Sequence, residues 1–194
     1  IRLHYLRRET FPLDASWSRW NLSEQQSGGG VLIDLGPHML DLAMWLVNDF
    51  SPTLVNGFVH NGLLKYAQLE DFAAGSVRLE SGVRIQLDLA WNSLNETARS
   101  IQIYGEKGGY LLDALKPEGH RLSKYTADSK ESCLEPLASR LSHPQEITLQ
   151  EHIVKRLRAG QYSDCSADRA LEVMSIIEGW YESSNTGRDH LFHN

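Results

Sequence analysis

The order of apolar and polar residues divides this chain into a strand-rich centre with helical segments before and after it. Residues 83–91 alternate with period two: Val83, Ile85, Leu87, Leu89 and Trp91 fall on one side, and Arg84, Gln86, Asp88 and Ala90 on the other. Residues 71–79 predict a comparable preceding strand, and Glu80-Ser81-Gly82 a hairpin turn between the two. Residues 54–61, 100–104 and 110–113 predict further strands, the last two joined by a Gly-rich turn. Residues 1–9 are rich in β-formers and run into Thr10-Phe11-Pro12, which predicts a strand leaving into a loop. Residues 31–48 are apolar on nearly every side and predict a helix buried in the body of the fold. Pro37 lies inside it, and an interior proline costs ~3 kcal/mol, so the helix either kinks there or begins near it. Residues 148–159 predict a helix ending at Gly160, and Ser166 opens another that runs to about 184 and ends at Asn185-Thr186-Gly187. Residues 114–146 are polar, and one or two strands with a connecting loop are expected there. The sum is one α+β domain, an open, mainly antiparallel sheet with helices packed on one face.

Composition adds exclusions. The 194 residues carry a formal charge of −6, with no basic run longer than Arg7-Arg8 or Lys155-Arg156, so nucleic acid is not an expected partner. The apolar runs fall short of the roughly 20 residues that cross a bilayer, so no membrane partner is expected either. Cys133 and Cys165 lie in unlike contexts outside any C-x-x-C pattern, which points to a reducing, cytoplasmic setting.

The candidate chemistry concentrates on Asp34, His38 and Asp41. Their i, i+4, i+7 spacing places all three within about 60° of one helix face in an otherwise apolar segment. Burying such groups is costly unless they are paired or used, so the stripe should line a pocket or a polar network. A carboxylate one turn before a histidine can orient the imidazole for general acid/base work. The same spacing also admits aspartates that bond nearby backbone beside a satisfied buried histidine. A metal site on the trio lacks a second ligand cluster to complete it. Residues 27–30 contain Gly28-Gly29-Gly30, which allows close backbone approach but is not a dinucleotide fingerprint: no strand-glycine-helix order surrounds it. No P-loop, G-x-S-x-G or H-E-x-x-H motif occurs. Arg19, between Trp17 and Trp20, could bind a polar substrate or stack on an aromatic ring. Arg7 and Glu9 end the first strand and could reach a pocket at its edge or stand as exposed charges. His60, His120, His143, His152, His190 and His193 show no partners at recognisable spacing.

The run from Ser27 to Asp41 resembles the G-G-G-x-x-x-D-x-G-x-H-x-x-D signature of the C-terminal domain of the Gfo/Idh/MocA oxidoreductases. The likeness extends to HYLRRETFP, EDFAAGSVRLESG, RSIQIYGEKGGYLL, EHIVKRLRAGQ and SADRALEVMSIIEGWYESSNTG. It implies the fold of a glyceraldehyde-3-phosphate dehydrogenase-like C-terminal domain. It further implies an N-terminal Rossmann domain, absent from this chain, which binds NAD or NADP and supplies a Glu-Lys-Pro lysine. Residues 1–194 would then be the substrate-binding, catalytic and oligomerisation domain, inactive alone. On this resemblance His38 exchanges a proton with a sugar, cyclitol or related polyol or carbonyl substrate, and Asp34 orients it and touches the substrate. Asp41 supports them, residues 27–30 lie near the cofactor crevice, and the open sheet face serves homo-oligomer formation. The alternative within the family is a non-catalytic ligand sensor or scaffold that keeps the fold and the pocket. A bare dimerisation module leaves the polar stripe unexplained.

Overall fold

The computed structural model describes residues 1–7, 20–62, 69–93, 97–117, 121–126, 135–136, 149–160 and 166–193. Glu9, Arg19, Cys133 and Cys165 lie outside these residues. The strands are β1 (Arg2–Leu6), β2 (Pro52–His60), β3 (Phe72–Leu79), β4 (Arg84–Ala90), β5 (Ala98–Gly105), β6 (Gly108–Asp113) and β7 (Leu122–Thr126), with the two-residue strands β8 (Glu135–Pro136) and β9 (His190–Leu191). The helices are α1 (Glu24–Ser27), α2 (Val31–Val47), α3 (Leu149–Arg158) and α4 (Ala167–Thr186). Among the described residues the predicted strands and helices form, within a few residues of their expected ends.

The strands make one open sheet in the order β8-β7-β6-β5-β1-β4-β3-β2-β9. Every neighbouring pair is antiparallel except β1 and β4, which run parallel with Leu3 beside Leu87 and Tyr5 beside Leu89. Parallel strands need a long crossover, and here α2, β2 and β3 supply it. This arrangement inserts the first strand between β4 and β5, a placement that periodicity cannot show.

Helices α2 and α4 pack on one face of the sheet, over a core that includes Leu3, Val55, Val77, Ile85, Leu87 and Leu89. Trp180 of α4 is fully buried and lies flat on β2 and β3, where a Cβ on Gly57 or Gly75 would come within 2.3 or 2.7 Å of its ring. The strand glycines make room for the indole. Ser166 caps α4 by accepting from the Arg169 N–H at 3.3 Å, and Gly187 ends the helix at φ 67°.

Helix α2 begins at Val31 and continues through Pro37. The expectation of burial on nearly every side is corrected: Val31, Leu32, Leu35, Met39, Leu40, Ala43 and Met44 are buried, while His38, Asp41, Trp45 and Leu46 are exposed. The sheet and α4 cover only part of the helix circumference. The expectation about apolar run length is corrected too, because Glu24–Val47 is long and apolar enough to cross a membrane. Its apolar side chains instead form much of the core, and α1 and α2 are separated at Gly28-Gly29-Gly30.

Candidate active site

The site is built at the N-terminal end of α2, where the chain turns out of α1. Gly28 ends α1 at φ 80°, its N–H donating to Glu24 O at 2.8 Å. Gly29 and Gly30 are tightly enclosed. A Cβ on Gly29 would lie 2.3 Å from the Tyr181 hydroxyl, and one on Gly30 would lie 2.0 Å from the Glu70 carbonyl oxygen. The three glycines thus serve a turn and two close approaches.

Glu70 is what they approach. This carboxylate is 8% exposed, and its Oε1 accepts from Gly30 N at 2.7 Å, Leu32 N at 3.3 Å and the Tyr181 hydroxyl at 2.6 Å. The Glu70 backbone carbonyl accepts from Val31 N at 2.9 Å. One residue from the loop before β3 thereby satisfies the first N–H groups of α2, the task usually done by a side chain just ahead of the helix. A negative charge there also complements the helix dipole. Burial first, then the hydrogen bond and negative charge of Glu70, push the Tyr181 phenol well above the ordinary tyrosine range.

With its first turn held, α2 projects Asp34 and His38 into a pocket of about 240 Å³, lined also by Trp20, Ser27, Gly29, Gly30, Ile33 and Trp91. Asp34 is half-buried, and its Oδ2 accepts from the Trp91 indole Nε1 at 2.8 Å. Trp91 itself is fully buried at the end of β4. The indole fixes the carboxylate, and His38 stands exposed one turn further along α2. Fixed acceptor and accessible imidazole together suit proton exchange with a hydroxyl or carbonyl group entering the pocket.

The structure brings Asp34 and His38 to one pocket but leaves Asp41 outside its lining, exposed on the next turn. Arg7 follows β1 and sits beside the site without lining the pocket. Its N–H donates to Ala90 O at 3.1 Å, next to Trp91, and its guanidinium lies 5.4 Å from the Tyr5 ring. His190 has a partner that spacing did not reveal: its Nδ1 lies 2.9 Å from Glu182 Oε2. Sequence reasoning also passed over Glu70, Tyr181 and Trp91. Glu70 is 40 residues from Gly30 and Tyr181 is 111 from Glu70, so no local spacing links them. Trp91 reads as the last residue of an apolar strand face, with its N–H handle the one available hint.

Larger hollows, of about 350 and 600 Å³, lie at the β5–β6 hairpin among Tyr104, Tyr110 and Tyr125. Among the described residues they hold no histidine or aspartate, so the smaller pocket is the better place for acid/base chemistry. Among the described residues, no three His, Cys, Asp or Glu side chains gather as a metal site would require. The α2 N-terminus does not fit the phosphates of a dinucleotide, because the N–H groups of Gly30, Val31 and Leu32 are already bonded to Glu70.

A family model described as the GFO/IDH/MocA C-terminal domain matches residues 1–111. A 93-residue stretch is 29% identical to a 1,5-anhydro-D-fructose reductase of Ensifer adhaerens, covering 47% of this chain and 27% of the reductase. Among solved structures, a levoglucosan dehydrogenase in complex with NADH superposes with a TM-score of 0.78 at 16% identity, over 100% of this chain and 58% of its own. An aldose-aldose oxidoreductase of Caulobacter crescentus complexed with glycerol gives a TM-score of 0.75 at 19% identity, over 98% of this chain and 54% of its own. The chain thus spans little more than half the length of these structures, and at such identities they establish likeness of fold.

Proposed function

This chain belongs to the GFO/IDH/MocA family, and we propose that it is the substrate-binding and catalytic half of a nicotinamide-dependent oxidoreductase acting on a sugar, cyclitol or related polyol. The observation that carries this reading is the Asp34–His38 pocket: a carboxylate held by Trp91 at 2.8 Å beside an accessible histidine, at the tightly built start of α2. His38 exchanges the proton of a substrate hydroxyl as that carbon is oxidised, or returns it to the carbonyl in reduction. Asp34, with Oδ2 engaged by Trp91, directs Oδ1 to the substrate or to the imidazole. Asp41, outside the pocket, acts on the other two from a distance. The nicotinamide, NAD or NADP, would accept or give the hydride.

Two features of the geometry support a divided site. The pocket, at about 240 Å³, falls below the roughly 300–1,000 Å³ of a complete small-molecule site. The α2 N–H groups are also committed to Glu70, so the dinucleotide phosphates belong on a Rossmann domain, with the two halves meeting across this pocket. The sheet face away from α2 and α4 presents Phe58 and Tyr104, 53% and 71% exposed, which supports self-association through that face. A cytoplasmic location accords with the nicotinamide chemistry.

The test is a screen of the complete natural polypeptide carrying this chain against neutral and acidic sugars and cyclitols, followed by nicotinamide absorbance. His38→Ala should lower kcat by about 10²-fold or more. Unchanged turnover in that variant would remove His38 from the chemistry, and saturable binding without turnover across the panel would favour a ligand sensor.

A further inference from the structure

Two arginines share one aromatic ring, and among the described residues no carboxylate pairs with either. The guanidinium of Arg99 lies 4.8 Å from the centroid of Tyr5 and that of Arg7 lies 5.4 Å from it. Arg7 is half-buried; its Nη2 donates to the Tyr5 hydroxyl at 3.3 Å, and its Nε is buried with no hydrogen-bond partner among the described residues. Neither arginine forms an ion pair with a carboxylate among the described residues. Carboxylates are not scarce in a chain of charge −6, and Arg2, two strand positions from His4, lies within ion-pair distance of Asp88. Gathering two like charges on one ring while one N–H is desolvated is unfavourable unless an anion joins them.

Their position ties them to the site. The β1–β4 and β1–β5 registers set Tyr5 level with Leu89 and Arg99, on the face that carries α2, and Arg7 lies one strand repeat further on the same face. The Arg7 backbone is held to the end of β4, donating to Ala90 O and accepting from Ser93 N. Arg7 is thus held beside Trp91, the residue whose indole grips Asp34.

We propose that Arg7 and Arg99, gathered on Tyr5, form a subsite for an anionic group, a carboxylate or a phosphate ester, on the carbohydrate that enters the Asp34–His38 pocket. The half-buried Arg7 guanidinium offers an anion charge-assisted N–H donors, and Arg99 adds charge at the same ring. This rests on the oxidoreductase reading and narrows it to acidic or phosphorylated sugars.

The test is calorimetric titration of the complete natural polypeptide, with its nicotinamide cofactor present, using D-glucose, D-glucuronate and D-glucose 6-phosphate. At least one of the two anions should bind about 10-fold or more tightly than glucose, the factor expected from charge-assisted hydrogen bonds. The two arms tell a carboxylate site from a phosphate site. Arg7→Met keeps the packed stem and should abolish that preference while leaving the glucose affinity within about twofold. Arg7→Lys should restore part of it, and Arg99→Met should reduce it less than Arg7→Met does. Equal affinity for all three sugars, failure of both anions to bind, or a preference that survives in the Arg7→Met, Arg99→Met double variant would overturn the proposal. Turnover of neutral polyols that depends on His38, without anion preference, refutes the subsite alone. Anion preference that depends on Arg7, without turnover of any sugar, refutes the oxidoreductase reading and leaves the subsite standing.

Discussion

Replacing Glu70 with alanine tests how the start of α2 is held. The carboxylate is 8% exposed and accepts three hydrogen bonds, from Gly30 N, Leu32 N and the Tyr181 hydroxyl. Its loss orphans two helix N–H groups and one half-buried phenol. Each unsatisfied buried donor costs roughly 1–3 kcal/mol, and loss of a helix cap alone about 0.5–2 kcal/mol. Relaxation and entering water offset part of the sum, so Glu70→Ala should destabilise by about 3–5 kcal/mol, a large share of the roughly 5–15 kcal/mol that holds a typical domain folded. Tyr181→Phe removes one donor and leaves the carboxylate with its two backbone partners, at about 1 kcal/mol. In the double variant the phenol no longer loses a partner, so the combined loss should fall short of the sum by about 1 kcal/mol. Urea unfolding of the four proteins, followed by circular dichroism and fitted with a common slope, gives the cycle. A Glu70→Ala loss below about 1 kcal/mol would show that Glu70 does not secure the helix start, and strictly additive single changes would show that Tyr181 is not coupled to it.

The same contact predicts an alkaline response. The Tyr181 phenol is raised well above its ordinary value of 10.0 in the folded chain, chiefly by burial and then by Glu70. Above pH ~10 the unfolded state loses that proton while the folded state keeps it, so this contribution is fully present below pH ~10 and declines as pH rises, by at most ~1.4 kcal/mol per pH unit. Urea midpoints measured between about pH 9 and 11 should fall less steeply in Tyr181→Phe than in the parent, and parallel curves would contradict the shift. The glycine run should be graded by position. Gly28→Ala meets open space but keeps a positive φ, costing about 1 kcal/mol, whereas Gly30→Ala drives a Cβ to within 2.0 Å of the Glu70 carbonyl and should cost about 3 kcal/mol or more in thermal or urea unfolding.

Much of the architecture is legible in the order of the residues. Period-two alternation marks β3 and β4, the apolar stretch marks α2, and Ser166 and Gly187 mark the ends of α4, because each signal rests on interactions within a few residues along the chain. The common helix face of Asp34 and His38 follows from spacing in the same way. Their uses were not legible. That Asp34 answers to Trp91, 57 residues away, and that the Gly28-Gly29-Gly30 turn closes on Glu70 and Tyr181, depends on which strands pair and which helix covers them.

The sequence by itself therefore determined the elements, the common helix face of Asp34 and His38 and the resemblance that pointed to the family, all properties of local pattern. Only the tertiary structure decided that β1 enters the sheet parallel to β4 and carries Arg7 to the side of Trp91. It likewise decided that Asp41 stays outside the pocket and that a glutamate from a distant loop caps the helix that carries Asp34 and His38. The physical reason is the range of the forces involved. Periodicity and capping act over one or two turns, whereas pairing a buried carboxylate or indole with its partner requires the whole sheet to be closed around it.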